Sequence, residues 1–175
     1  MSIEVIPALI TDKSIIQRMM ELFRHDLSEF EDIDLDEHGY FGYPYLDYYW
    51  VEPERHPSIV RVDGKLAGFA LINQHIYFPD SQYSVAEFFI LRKYRRRGIG
   101  HQVAIDIFDR FPGRWEISKL STNIIALRFW RKVIKLYLPE KYTETVVEIQ
   151  GGKRVIGCFD NSTKLRAETA KLYIY

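Results

Sequence analysis

Apolar and polar residues recur along the chain with two different periods, and these periods predict its secondary structure. Strands are predicted where apolar residues alternate or run together, at 2–7, 58–62, 65–73, 83–91 and 114–118. Helices are predicted where apolar residues recur every three or four positions, near 12–29, after Gly98 and over 123–134. Asp63-Gly64 predicts a tight hairpin turn, Gly151-Gly152 predicts a second hairpin over 144–159, and residues 161–175 are not assigned.

This order of elements predicts one α/β domain over residues 1–175, because no internal repeat, low-complexity tract or Gly/Ser linker interrupts it. A composition of 47% hydrophobic and 27% charged residues is typical of a globular protein. No apolar segment approaches the about 18 residues of a membrane helix, and the N-terminus lacks the pattern of a signal peptide. We therefore expect a cytoplasmic protein with no membrane partner.

Charge is unevenly distributed, although it sums to zero. Residues 1–60 hold 13 acidic and 4 basic side chains, a net charge of −9, and residues 61–175 hold 11 acidic and 20 basic ones, a net charge of +9. This asymmetry indicates an anionic partner for the C-terminal part and a cationic one for the N-terminal part, unless it is only solvated surface charge. The single cysteine, Cys158, lies in "VIGCFD" and is expected to be a buried, inert thiol, so disulfides and cysteine zinc sites are excluded and no metal site is predicted.

The segment "AEFFILRKYRRRGIGHQ" at 86–102 combines an apolar strand, three arginines and two glycines. A helix is predicted after Gly98, and the unpaired N–H groups and partial positive charge of a helix N-terminus favour an anion. Gly98 and Gly100 would let a phosphate approach the backbone. A Walker loop occurs nowhere in the chain, and a dinucleotide fingerprint would need glycine where Val103 stands. A solvated basic turn, or a nucleic-acid patch over Arg92–Arg97, is the alternative interpretation.

"RRRGIG" resembles the [QR]-x-x-G-x-[GA] signature of the GNAT family of N-acetyltransferases, with Arg95, Gly98 and Gly100 at the defining positions. "STNIIALRFWRKVI" resembles the second characteristic segment of that family, which contains Asn123 and an aromatic pair, here Phe129-Trp130. The two segments together span roughly residues 85 to 135. The resemblance implies a mixed, mostly antiparallel central sheet flanked by helices, with an acyl-CoA cleft between strands 4 and 5.

The resemblance also implies a co-substrate and a reaction. In that family the signature loop holds the pyrophosphate of acetyl-CoA, and the fourth strand pairs with its pantetheine arm. The implied cofactor-binding residues are Phe89, Ile90, Leu91, Arg95, Arg96, Arg97, Gly98, Ile99, Gly100, His101 and Asn123. The implied reaction is acetyl transfer to a primary amine by direct attack in a ternary complex, without a metal.

Two residues are candidates for proton transfer. Glu87 interrupts an apolar strand, where an unpaired carboxylate costs several kcal/mol, so it is either a general base for the amine or a structural carboxylate with a partner. Many family members use a tyrosine to protonate the leaving thiolate, but Trp130 takes that place here, and its indole N–H is not a practical proton source. Tyr137 is a weak candidate for this acid, and the coenzyme A thiolate can also leave without one.

The acceptor is indicated by residues 26–54, which carry no lysine or arginine. Their acidic residues are Asp26, Glu29, Glu31, Asp32, Asp34, Asp36, Glu37, Asp47, Glu52 and Glu54. The same window holds "YFGYPYLDYYW", and carboxylates beside aromatic rings suit a cationic amine such as a polyamine, an aminoglycoside-like amine or a lysine-bearing peptide. In the alternative interpretation the aromatic residues pack under the sheet or at a homodimer contact.

Two other classes of function are kept beside the acetyltransferase. A domain of the same fold could bind acyl-CoA as a regulatory module without turnover, which the missing tyrosine permits. A nucleic-acid-binding protein is less favoured, because only one short basic cluster is present.

Overall fold

A computed structural model of the protein describes residues 1–139, 142–149 and 152–163, and its elements follow the predicted order. The helices are α1 (Lys13–Leu27), α2 (Ile99–Arg110) and α3 (Ile124–Tyr137). The strands are β1 (Ile3–Pro7), β2 (His56–Val62), β3 (Lys65–Asn73), β4 (Tyr83–Ile90), β5 (Arg114–Leu120), β6 (Thr143–Ile149) and β7 (Gly152–Asp160). Within the described ranges, no helix combines the length and the apolar character needed to cross a bilayer.

The strands form one seven-stranded sheet in the order β1-β2-β3-β4-β5-β7-β6. β4 and β5 pair in parallel, through Tyr83 with Trp115 and Ser84 with Glu116, whereas the β1–β2, β2–β3, β5–β7 and β6–β7 pairs are antiparallel. This arrangement confirms the predicted mixed, mostly antiparallel sheet. The predicted Gly151-Gly152 turn lies partly outside the described residues.

The chain divides into two compact units. The first comprises Met1–Asn73 and Glu87–Ile99, and the second comprises Gln74–Ala86 and Gly100–Tyr175. The single domain over 1–175 therefore stays a prediction. Of the unassigned residues 161–175, the structure describes 161–163.

In the first unit, a hairpin and α1 form the core. Asp63 and Gly64 both have positive φ, 49° and 75°, which is the turn geometry that an Asp-Gly pair favours between two strands. The apolar face of α1 is buried through Ile16, Met19 and Met20. Gly68 brings the backbones of β3 and β4 so close that a Cβ built on it would lie 2.0 Å from the Phe89 carbonyl oxygen. Only glycine fits at this position.

In the second unit, aromatic rings converge on Phe108 of α2, which is fully buried. Its ring centroid lies 5.0 Å from that of Trp115 and 4.8 Å from that of Phe159. The buried face of α3 consists of Leu127, Trp130, Val133, Ile134 and Tyr137. Ala126 and Phe129 of the same helix are only half-buried.

Cys158 on β7 is half-buried rather than fully buried as the sequence analysis expected. Burial and the nearby Glu116 raise the pKa of its thiol. The thiolate form is therefore disfavoured, which agrees with an unreactive cysteine.

Candidate active site

The signature loop joins a 3₁₀ turn at Arg92–Tyr94 to the N-terminus of α2. Arg96 and Gly98 have φ of 60° and 78°, in the left-handed region that turns the chain sharply. A Cβ built on Gly98 meets nothing within 4 Å, so the backbone faces open space there. The first turn of a helix leaves N–H groups without intrahelical acceptors. An open backbone beside such donors is the geometry that a phosphate oxygen requires.

Two arginines at this loop are bound by Asp26, which lies in the last turn of α1. Asp26 Oδ1 accepts hydrogen bonds from Arg92 Nη2 at 2.6 Å and Nε at 3.1 Å, and Oδ2 accepts one from Arg95 Nη2 at 2.5 Å. Although burial raises the pKa of Asp26, the hydrogen bonds from Arg95 and Arg92 outweigh it and hold that pKa below its usual value. The Arg95 side chain therefore has a partner within the protein, although it is exposed, as are Arg96 and Arg97.

The other predicted cofactor-binding residues have the following surroundings. Asn123 is the N-cap of α3, and its Oδ1 accepts a hydrogen bond from the Ala126 N–H at 2.9 Å. The Leu91 N–H donates to the Ala67 carbonyl at 2.8 Å, so this donor is used by β3. His101 Nε2 is buried and has no hydrogen-bond partner among the described residues. Phe89, Ile90 and Ile99 are buried, whereas Gly100 is half-buried. Cofactor binding by these residues stays a prediction.

Glu87 is half-buried on β4 beside tyrosine hydroxyls. The Tyr43 hydroxyl is hydrogen-bonded to Glu87 and to Tyr49. Asn73 Nδ2 donates to Tyr49 Oη at 3.3 Å. Burial, together with the charge of Glu87, raises the pKa of Tyr43 well above its usual value and that of Tyr49 to about 12. Both phenols therefore stay protonated, and the carboxylate is a proton acceptor among neutral hydroxyl groups.

Arg55 holds this group of tyrosines in place. Its guanidinium lies 5.1 Å from the Tyr49 ring centroid and 5.4 Å from that of Tyr48. Its Nε also donates to Glu52 Oε2 at 2.5 Å, and the residue is 8% exposed. Sequence reasoning did not single out Tyr43, Tyr49 or Arg55, and the density of tyrosine in "YFGYPYLDYYW" was the only signal for them.

Many carboxylates of the acidic segment 26–54 have partners within the protein. Four of its carboxylates form ion pairs with lysine or arginine side chains of the first unit: Asp26, Glu31, Asp47 and Glu52. Asp36 Oδ1 accepts hydrogen bonds from the N–H groups of His38 and Tyr40, so it stabilises a turn. Asp32 and Asp34 are exposed. Several of the ten acids therefore have partners within the first unit, and an acceptor wall formed by the others stays a prediction.

The aromatic residues of the same window divide into two groups. Tyr49 is 2% exposed and belongs to the core, and Trp50 Nε1 donates to the Ala8 carbonyl at 3.0 Å. Tyr40, Tyr45 and Tyr48 are 58%, 55% and 45% exposed. Some rings of this segment therefore pack and others are exposed, and an acceptor role for the exposed rings stays a prediction.

Tyr137 lies in the core of the second unit, 6% exposed. Its hydroxyl donates to Asp109 Oδ1 at 2.5 Å and accepts from Asn161 Nδ2 at 3.2 Å. The hydroxyl is thus engaged in a structural network of that unit. Its predicted role as the proton donor to the thiolate stays a prediction.

A second strand carboxylate, Glu116 on β5, was not singled out from the sequence. It is 0% exposed, and its two oxygens accept hydrogen bonds from the N–H groups of Tyr77 at 2.6 Å and Phe78 at 3.1 Å. Glu116 therefore stabilises the segment before β4 in the second unit.

Comparison with known proteins was made on sequence and on structure. The sequence model of the acetyltransferase (GNAT) family matches residues 16–134. No curated protein sequence matches the chain. Aminoglycoside acetyltransferase AAC(6')-Ib in complex with coenzyme A is similar in structure, with a TM-score of 0.65, 12% identity, and coverage of 95% of this chain and 99% of that one.

Two further solved structures are similar. A spermidine N-acetyltransferase SpeG chimera from Vibrio cholerae and hSSAT has a TM-score of 0.63 and 12% identity, with 95% of this chain and 99% of that one covered. A ribosomal-protein-alanine N-acetyltransferase from Brucella melitensis has a TM-score of 0.62 and 12% identity, with 90% and 99% covered. Because the sequence identities are this low, the comparison shows that these proteins share a fold with the chain and no more.

Proposed function

The chain belongs to the acetyltransferase (GNAT) family, and we propose that it transfers the acetyl group of acetyl-CoA, the co-substrate of this family, to a cationic primary amine in the cytoplasm. The observation that carries this proposal is the signature loop, where Gly98 leaves open backbone at a helix N-terminus. The N–H groups of residues 96–101 bind the pyrophosphate, and the exposed Arg96 and Arg97 add positive charge. Residues 89–91 and Asn123 bind the pantetheine arm.

In the proposed reaction Glu87 is the general base. A protonated amine gives one proton to the Glu87 carboxylate, and its nitrogen lone pair then attacks the thioester carbon. The C–N bond forms, the C–S bond breaks, and the second proton leaves the nitrogen for the coenzyme A sulfur. Supporting this role, Glu87 lies among protonated tyrosine hydroxyls in a half-buried position. Tyr137 is the weaker candidate for the acid, because its hydroxyl already donates to Asp109.

A cationic acceptor is supported by the exposed Asp32 and Asp34, which lie in the same segment of the sequence as the exposed rings of Tyr40, Tyr45 and Tyr48. Carboxylates attract positive charge, and aromatic faces add cation–π attraction. Two of the structurally similar proteins are named for spermidine and for an aminoglycoside, both amines with several positive charges. A polyamine, an aminoglycoside or a lysine-bearing peptide is therefore the proposed acceptor class.

A thiol-release assay tests the reaction. Acetyl-CoA is incubated with spermidine, an aminoglycoside, a lysine-bearing peptide and an anionic amino acid, and coenzyme A is measured. Release should be fastest with the multiply charged amines and should slow as salt screens the exposed carboxylates. Asp32→Asn combined with Asp34→Asn should lower kcat/KM for the cationic amines and not for the anionic acceptor, with Asp36 kept because it stabilises a turn. No release with any amine, or a preference for the anionic acceptor, would contradict the proposal.

A non-catalytic acyl-CoA-binding module is the second candidate. It is favoured by Trp130 in place of the usual tyrosine and by the engaged hydroxyl of Tyr137. Coenzyme A binding by calorimetry without thiol release from any amine would support this candidate over the enzyme.

A pair of glycine variants tests the pyrophosphate site. Gly98 and Gly64 have nearly equal φ, 78° and 75°, and a Cβ on either meets nothing within 4 Å. Gly98→Leu and Gly64→Leu should therefore cost similar stability, about 1 to 2 kcal/mol each. Only Gly98→Leu should weaken coenzyme A binding, because its side chain fills the space in front of the loop. Equal affinity in the two variants would contradict the pyrophosphate assignment.

A further inference from the structure

Asp26 connects the end of α1 to the loop that follows β4. Its two carboxylate oxygens bind different arginines, Oδ1 binding Arg92 and Oδ2 binding Arg95. We propose that Asp26 is a positioning residue for acetyl-CoA, which holds the signature loop in its binding conformation through these two arginines. The inference rests on the proposed function, because it assigns a role within the same cofactor site.

The geometry differs from that of an ordinary surface ion pair, which contributes little to stability. The Asp26 side chain is only 18% exposed, and Arg95 is held from three sides. Its Nη2 donates to Asp26, its Nε donates to the Ile90 carbonyl at 2.7 Å, and its guanidinium lies 5.5 Å from the Phe89 ring centroid. Charged hydrogen bonds in a shared network of this kind are the strong ones. The end of β4 and the first signature residue are thereby fixed to α1.

The contact between Asp26 and Arg95 affects ligand binding because Arg95 lies directly before the sharp turns of the signature loop. Arg95 is followed directly by Arg96 at φ 60°, and Gly98 at φ 78° comes two residues later. These sharp turns set the direction of the backbone N–H groups that precede α2 and are proposed to bind the pyrophosphate. A loop that is already ordered loses less conformational entropy when a ligand binds, so affinity rises. Asp26 thus keeps the signature loop ordered before the ligand binds.

The same contact also has an electrostatic cost for an anion. Asp26 neutralises positive charge on Arg92 and Arg95 and adds a negative charge close to the loop. Its removal would strengthen the attraction for phosphate if charge alone decided affinity. Neutralising Asp26 therefore has two opposing effects on the affinity for an anion. The loss of loop order lowers the affinity, and the gain of positive charge raises it. Because Asp26 holds both arginines through charged hydrogen bonds, we expect the loss of order to dominate.

Glu29 provides a matched control for the charge effect. It lies three residues after Asp26, is exposed, and forms no ion pair within the described part of the chain. Asp26→Asn should raise the Kd for coenzyme A, measured by calorimetry, about tenfold. Glu29→Gln removes the same charge and should leave Kd unchanged or slightly lower. An Asp26→Asn variant that is folded and binds coenzyme A as tightly as the wild type, or more tightly, would overturn the proposal.

A truncated donor separates positioning from general damage. S-acetylpantetheine lacks the pyrophosphate, so its kcat/KM should change less than about twofold in Asp26→Asn, whereas the KM for acetyl-CoA rises and the KM for the amine stays constant. Arg92→Gln keeps the Asp26–Arg95 contact and should raise the coenzyme A Kd by a smaller factor, about threefold. An equal loss with both donors would overturn the positioning role. If the wild type binds no coenzyme A, the proposed function itself fails, which is a different result from wild-type binding that Asp26→Asn leaves unchanged.

Discussion

Glu87 on β4 and Glu116 on β5 are both carboxylates within apolar strands, but their surroundings differ. Glu116 is fully buried in the second unit, and both of its oxygens accept hydrogen bonds from the backbone N–H groups of Tyr77 and Phe78. Glu87 is half-buried in the first unit and is hydrogen-bonded by the Tyr43 hydroxyl. One carboxylate is fixed by the main chain and the other is surrounded by side chains.

The difference shows how the partners of a carboxylate decide what it can do. A backbone N–H cannot rotate away as a side-chain donor can, so Glu116 is suited to hold a segment of chain. A phenol can rotate, exchange its partner or accept a hydrogen bond itself. In the proposed reaction Glu87 takes up a proton from the amine, whereas Glu116 binds the main chain.

The largest effect of a substitution is expected at Glu87. Glu87→Gln keeps the shape of the side chain and removes the base, so kcat/KM should fall by about 10²- to 10⁴-fold. The loss should be greatest at low pH, where the amine is most fully protonated. The free energy of unfolding should change by less than about 0.5 kcal/mol. An unchanged pH–rate profile would show that Glu87 is a structural carboxylate like Glu116.

The same substitution at Glu116 should lower stability and leave kcat nearly unchanged. Glu116→Gln replaces a charged acceptor of two backbone N–H groups with an amide that can accept from only one of them. We expect a loss of about 2 to 4 kcal/mol in the free energy of unfolding, measured by denaturant titration. The kcat of the folded variant should stay near the wild-type value. A large loss of kcat without a loss of stability would contradict this structural role.

Lys119 extends the comparison to a buried charge without such partners. It is 5% exposed on β5, and its Nζ has no hydrogen-bond partner among the described residues. Burial lowers its pKa to about 8 from the usual 10.5. Lys119→Met should therefore stabilise the protein by about 1 to 3 kcal/mol at pH 7, because a charged amine no longer has to be buried. Lys132→Met, on the exposed face of α3, is the control and should change stability little.

The pH dependence of stability tests the same residue. Between pH 8 and 10.5 the unfolded chain binds more protons at Lys119 than the folded chain, since the pKa is lower in the folded state. Stability of the wild type should therefore rise with pH across this window, and Lys119→Met should lack that rise. A variant with the same pH dependence as the wild type would show that Lys119 is not the titrating group.

The smallest effect is expected at Tyr43. Tyr43→Phe removes the hydroxyl that is hydrogen-bonded to Glu87, so kcat/KM should fall about three- to fivefold. Because this donor favours the ionised carboxylate, the acidic limb of the pH–rate profile should move to higher pH. Tyr45→Phe is the control, since Tyr45 packs edge-on against Tyr43 but is 55% exposed. The same shift in both variants would exclude a specific role for the Tyr43 hydroxyl.

Local features of the fold could be predicted from the sequence because their causes are local. The Asp63-Gly64 turn follows from two residues that tolerate positive φ, and α3 follows from apolar spacing over one segment. Gly98 was singled out for its position between a strand and a helix, and the structure gives it the positive φ that a sharp turn needs. These properties do not depend on distant parts of the chain.

Contacts between distant residues could not be predicted in this way. Asp26 was counted among the carboxylates of an acceptor wall, but it binds Arg92 and Arg95, which lie 66 and 69 positions further along the chain. Tyr43 and Glu87 are also far apart in sequence, and nothing in either local pattern indicates the other. Glu87 and Glu116 each stand in an apolar strand, so only their partners distinguish a candidate base from a structural carboxylate.

Gly68 has a consequence for the variation that this protein can tolerate. A side chain there would collide with the Phe89 carbonyl, which has no freedom to move because it belongs to a strand backbone. Phe89 begins the stretch proposed to bind the pantetheine arm. In a library of random variants selected for activity, position 68 should therefore be as invariant as the signature glycines, although it would touch neither the cofactor nor the amine. Revertants of a Gly68 variant should arise at codon 68 itself, since no neighbouring side chain can be trimmed to relieve a contact between backbones.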